Sequence, residues 1–269
     1  MTIALPESNT RTETNAYMST KFIKGDSVGV FVYQRAEDGT DGEIWLSNVK
    51  YTYDGSRWIP EAGGEIVIDE NDALNYYAYY PYNEQVKDYK RVPFQPYAEQ
   101  NVAMNYNCSD FLRTKNNEMG KGANSVQLHF EHAFTLIQLN LNGTEAIDPN
   151  TAVTLCGMKT QVMVDLTSDE VTTIEGEAVD INMYQFSNKK YNMVYRAVVP
   201  AQTIEANAKM IEIRTGDQVK LFNNAGEALN LNLASVCPLH VLLGESTEHD
   251  VNIGINIGSW KVDPEIELE

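Results

Sequence analysis

The chain has 269 residues, 43% of them hydrophobic and 10% aromatic, with 15 tyrosines. That is enough apolar side chain to bury a substantial core, and it argues against disorder. With 38 acidic residues against 20 basic ones the formal net charge is −18, which repels phosphate backbones and anionic lipid surfaces and excludes nucleic acid as an expected partner.

The cysteines Cys108, Cys156 and Cys237 are odd in number, far apart and form no Cys-x-x-Cys pair. Zinc and redox motifs are therefore absent, a disulfide framework is unsupported, and each reads as a small core hydrophobe. No run of 18 apolar residues exists, and the start Met1 to Glu7 has no basic residue or apolar stretch, so neither a membrane span nor a signal peptide is expected within it.

Residues 1–20 are rich in Thr, Ser, Asn and Glu and read as a mobile leader. The first strand signal lies in Lys21 to Tyr33, where Val28, Val30 and Val32 face one way and Phe31 and Tyr33 the other. A hairpin follows, with Val49 to Tyr53 and Arg57 to Ile59 flanking Asp54-Gly55-Ser56, and Ile66 to Ile68 continue the rhythm. The run Leu74 to Tyr82 is rich in β-formers and is stopped by Pro81, which cannot donate to a ladder. The polar passage from Asn83 to Asn124 carries little period; it reads as a loop with one helical turn near Ser109 to Leu112, long enough to face a partner.

Ser125 to Gly143 reads as one long strand with a fault in it. Val126, Leu128, Phe130, Phe134 and Leu136 share one phase, whereas Ile137, Leu139 and Leu141 run one residue out of step. A one-residue slip needs a bulge, expected at Leu136-Ile137. Strand signals resume at Ala152 to Gly157, Gln161 to Leu166 and Tyr191 to Pro200. Lys209 to Arg214 and Gln218 to Phe222 flank Thr215-Gly216-Asp217 as a second hairpin, and His240 to Gly244 with Asp250 to Trp260 supply the last pair. Many short strands at regular spacing and almost no helix predict an all-β chain. We divide it into residues 1–143, with the leader, and residues 144–269.

Candidate chemistry is sparse. His129 and His132 stand three apart on a strand, so their rings point to opposite faces and cannot share a metal; His132 is expected in the core with a hydrogen bond and His129 outside. Asp69 to Leu74 is rich in oxygen donors but has Leu74 where a calcium loop needs glycine, so an acidic turn is expected, with an irregular calcium site as the alternative. No nucleophile elbow, phosphate loop, dinucleotide fingerprint or carboxylate pair in an apolar setting appears. No enzyme, cofactor or metal is expected. The tyrosine run has two readings: a platform for sugar rings or a partner, carried by Tyr77, Tyr79, Tyr80 and Tyr82, or a band at a sheet surface or seam.

Six segments, in order, resemble the fimbrillin family, the Mfa-like pilins and pilus-associated proteins of type V fimbriae in Bacteroides-type bacteria. They are Phe22 to Phe31, Trp58-Ile59-Pro60, Tyr77 to Tyr82, Leu128 to Phe134, Val198-Val199-Pro200 and Ile257 to Trp260. The resemblance implies two tandem transthyretin-like β-sandwich domains, export as a lipoprotein to the cell surface, fimbrium or outer membrane, and no enzymatic activity. It also implies assembly with other pilin subunits by donor-strand complementation, after an arginine-specific protease removes an N-terminal strand. Arg11 is the only arginine in the leader and so the candidate processing site. Ten residues precede Arg11 and nine follow Trp260; these short ends point to a tip, accessory or anchor subunit rather than the repeating shaft. The alternative is a surface glycan-binding lipoprotein that uses the tyrosines and the 83–124 passage.

Overall fold

The computed structural model describes residues 20–65, 72–114, 117–119, 128–168, 171–173, 176–224, 226–243 and 258–259. The first half runs β1 (Ser27–Arg35), β2 (Asp41–Tyr53), β3 (Trp58–Pro60), β4 (Leu74–Tyr80), β5 (Val92–Phe94), α1 (Ala103–Cys108), β6 (Leu112–Thr114), β7 (Asn117–Met119), β8 (Phe130–His132) and β9 (Thr135–Gly143). The second half runs β10 (Ala152–Met158), β11 (Val162–Val164), β12 (Val171–Thr173), β13 (Val179–Asn182), β14 (Tyr184–Lys189), β15 (Asn192–Val199), β16 (Thr203–Ile204), β17 (Lys209–Thr215), β18 (Gln218–Asn223), β19 (Leu229–Asn230), β20 (Ser235–Leu243) and β21 (Gly258–Ser259). The chain is nearly all β, as its turn spacing and alternation predict.

A seven-stranded sheet has the order β3-β2-β1-β4-β6-β8, with β7 also on β4. Period-two alternation places Val28, Val30 and Val32 of β1 and Leu74, Tyr76, Ala78 and Tyr80 of β4 in a core on one face. Phe31, Tyr77 and Tyr79 pack into a second core on the other. Both hairpins form: Tyr53 faces Trp58 across the first, whose Asp54 carboxylate accepts from the Ser56 and Arg57 amides, and Thr215 faces Gln218 across the second. In the second half, the β14-β15-β9-β20-β21 sheet faces the β13-β10-β17-β18 sheet across a third core that includes Leu139, Leu155, Tyr195, Ile211 and Leu239.

The fault at Leu136-Ile137 has a different origin from the one expected. β9 pairs with β15 without a break from Thr135 to Asn142, so no bulge lies there. The long strand instead breaks at Ala133-Phe134, between β8 in the first sheet and β9 in the second half's sheet. Phe134 and Leu136 point into the core behind β1 and β4, whereas Ile137, Leu139 and Leu141 point into the core between the later sheets. The alternation is regular, but the apolar face changes because β9 is covered first on one side and then on the other. Residues 125–127, also assigned to that strand, and Ile66 to Ile68 lie outside the described residues.

The 83–124 passage is more structured than its composition implies. It contains β5, β6 and β7, and its helix sits a turn earlier than expected, at Ala103–Cys108. Three-residue strands are too short to show a period. β5 pairs with β11, and β9 with β15 and β20, so hydrogen-bond ladders cross the 143/144 division. A side chain crosses it too. β14 reaches only Arg196 on β15; just beyond, the buried Gln100 amide accepts from the Val198 N–H at 2.8 Å and donates to the Val198 carbonyl at 2.9 Å, extending the ladder with a side chain. Gln100→Leu would leave both Val198 groups buried without partners, and is expected to cost about 2–5 kcal/mol, read as a lower urea midpoint with an unchanged slope.

Candidate functional site

The four tyrosines of the expected platform do not form one surface. β4 lies inside its sheet with both faces covered, so Tyr79 is 0% exposed and Tyr80 4%. Tyr80 meets the edge of Phe22 at 5.7 Å, in the core on one face. Tyr79 stacks on Phe111 at 5.9 Å, in the core on the other. The Tyr79 hydroxyl lies 2.8 Å from Asn48 Oδ1 and 2.9 Å from the Asn83 carbonyl, pinning the turn after Pro81. Gly29 is what admits the ring, since a Cβ there would fall 2.4 Å from Tyr79 Cε1. Tyr77 is half-buried, and only Tyr82, on the turn beyond Pro81, reaches the wall of an open cleft.

The Tyr77 hydroxyl shares the Asp41 carboxylate with Tyr89, at 2.9 and 2.6 Å, and with the Asn75 amide at 2.7 Å. The rings of Tyr33, Tyr77 and Tyr89 pack together with centroids 4.6–6.2 Å apart. Burial first, then the hydrogen bond to Asp41, push the Tyr77 and Tyr89 hydroxyls up from their ordinary value. This cluster joins residues 48 positions apart, and no local pattern in the chain signals it.

Arg11 lies outside the described residues, as do Asp69 to Asn71 of the acidic turn. His132 is buried, with Nδ1 2.9 Å from Asp110 Oδ1, and His129 is exposed, as their phase predicts. Cys156 and Cys237 are buried and Cys108 is half-buried; all three are free thiols. Among the described residues no group of three or more His, Cys, Asp and Glu side chains is placed to hold a metal ion.

The sheet edges offer the geometry that an added strand would use. β20 runs parallel to β9, and on its other edge β21 pairs only Ser235 and Val236. From Cys237 to Leu243 no described strand occupies that edge, although Cys237, Leu239 and Val241 point into the core and Leu242 is 60% exposed. Across the sandwich, β18 pairs among the described residues only with β17 and shows Val219 and Leu221 to solvent. A cleft of about 260 Å³, lined by Gly143, Ile147, Ile213, Lys220 and Leu243, lies between the two edges. Where an edge of this kind is left open, its N–H and C=O groups are ones that an extended strand can satisfy.

Residues 10–267 match a family model described as fimbrillin-like. Over 83 residues, 30% of this chain, the sequence is 35% identical to a Bacteroides ovatus protein named "Putative fimbrium tip subunit Fim1C", of whose length the match spans 14%. The fold is similar to that of a "putative cell adhesion protein" of Bacteroides ovatus, with a TM-score of 0.70 and 17% identity over 98% of this chain and 99% of that one. A protein of the same description from Bacteroides uniformis gives 0.66 and 16%, over 97% and 98% of the two chains. A fimbrial protein of Bacteroides vulgatus gives 0.55 and 14%, over 87% and 93%. At these identities the solved structures establish a shared fold. With the family model matched along nearly its whole length, the chain belongs to the fimbrillin-like family.

Proposed function

We propose that this chain is a fimbrial, cell-adhesion subunit of the cell surface that joins other pilin subunits by strand exchange, in a tip, accessory or anchor role. The fimbrillin-like match over residues 10–267 carries the reading. The β20 edge supports the strand exchange: beyond Val236 it can be paired by a strand from the chain itself or from a neighbour, and exchange between the two is what such assembly requires. The name of the Bacteroides ovatus relative supports the tip role. The reading includes export as a lipoprotein and two tandem transthyretin-like sandwich units. A core within each favours two units, which meet in a third core built by both; the ladders of β9 favour a boundary at Ala133-Phe134 over 143/144.

Limited digestion with an arginine-specific protease, followed by intact mass and light scattering after size exclusion, tests this. Cleavage is expected first at Arg11, with the buried Arg113 and Arg196 protected. The trimmed chain should stay monomeric alone and form a 1:1 complex with a shaft subunit presenting a free donor strand. Self-polymerisation would overturn the tip role, and failure to bind any pilin after trimming would overturn strand exchange.

A further inference from the structure

A second cleft, of about 750 Å³, opens between the turn after β4 and the β5–β11 ladder. Its volume is within the range of small-molecule sites, roughly 300–1,000 Å³. Tyr82, Phe94 and Tyr97 bring rings to its wall, and Asn83, Gln95 and Gln161 bring amides. Tyr97 is 49% exposed, yet its backbone is held at both ends. Its N–H donates to Ser109 Oγ at 3.0 Å, and its carbonyl accepts from the Gln100 amide at 3.1 Å. A large ring left in solvent on a fixed backbone loses little conformational freedom when a ligand covers it. Asn83 is held in the same way, through the Tyr79 hydroxyl and through its own Oδ1, which accepts from the Gln85 N–H at 2.9 Å.

The lining has no Asp, Glu, Lys, Arg or His, and the Cys108 thiol and the Tyr82 hydroxyl on it are pushed up by burial and so stay neutral. On a chain with a net charge of −18, an uncharged cleft with ring faces and amides selects a ligand of the same kind: ring faces of C–H groups to stack on tyrosine, and hydroxyls to pair with amides. We infer that this cleft binds an uncharged oligosaccharide, with Tyr97 and Tyr82 as stacking platforms and Asn83, Gln95 and Gln161 as hydroxyl partners. This site goes beyond the assembly reading and does not depend on it, since its lining shares no residue with β18, β20 or the cleft beside them.

The test is binding of the purified full chain to an array of neutral glucan, xylan, mannan and galactan oligosaccharides. Uronic-acid-bearing and sialylated counterparts and proline-rich peptides are printed on the same surface. Tyr97→Ala and Gln161→Ala serve as variants and thermal melting as the control. The expected result is binding to at least one neutral glycan, at least tenfold weaker in Tyr97→Ala and weaker in Gln161→Ala, with melting temperatures unchanged because both side chains are exposed. No binding to any neutral glycan, a preference for acidic glycans or proline-rich peptides, or undiminished binding by Tyr97→Ala would each overturn the proposal. None of these outcomes bears on whether the trimmed chain joins a pilin.

Discussion

Tyr79→Ala is expected to destabilise the protein by about 3–5 kcal/mol, the range for removing a large buried aromatic ring. That corresponds to a fall in melting temperature of roughly 6–20 °C for a chain of this size. The ring is 0% exposed and lies in the core where the first sheet meets β9, β11, β15 and β20. Its loss would open a cavity against Phe111 and free the turn at Asn83 that its hydroxyl holds. Tyr79→Phe separates the two contributions. It keeps the packing and takes the hydroxyl away from Asn48 Oδ1 and from the Asn83 N–H, while the Asn83 carbonyl keeps the Asn48 amide as a donor, for about 1–3 kcal/mol. Scanning calorimetry of the two variants beside Tyr97→Ala measures all three. A Tyr79→Ala protein that melts with the parent would refute the burial of this ring, and with it the account of how β4 is covered.

Alkaline pH is expected to unfold the protein cooperatively. Burial, followed by the charge of Glu65, pushes the Tyr51 hydroxyl up to about 12. Burial also raises Tyr76, Tyr79, Tyr80 and Tyr106, all under 9% exposed. The folded state then holds protons that the unfolded chain, titrating near 10, releases. Their contribution to stability is complete below about pH 10 and is lost as pH rises toward the folded values, by at most about 1.4 kcal/mol per group per pH unit. Five such groups would exhaust a typical stability of about 5–15 kcal/mol within roughly one to three pH units. Phenolate absorbance and far-ultraviolet circular dichroism should therefore change together above pH 10. A smooth phenolate titration centred near 10 with the β signal intact would show that these rings are open to water.

Much of the architecture is legible in the chain itself. Alternation of Val28, Val30 and Val32 against Phe31 places β1 and its two faces, and Asp54-Gly55-Ser56 and Thr215-Gly216-Asp217 place two hairpins. The phase of His132 puts it inside and that of His129 outside. These are local consequences of a two-residue side-chain period and of turn chemistry, which act over a few residues wherever the strand finally sits. Which face is covered, and by what, is not local. Tyr79 and Tyr82 are the same residue type three positions apart; one is sealed because β4 ended up between β1 and β6, and the other lines a cleft because Pro81 turns the chain away. The fault at Leu136-Ile137 is plain in the sequence, but only the packing of β9 against two cores explains it without a bulge. Gln100 on Val198, β5 on β11 and Tyr89 on Asp41 join residues 48 to 98 positions apart or on opposite halves of the chain. Such contacts depend on the closure of long loops, and that closure is decided by the burial of whole sheets together rather than by any short stretch of residues.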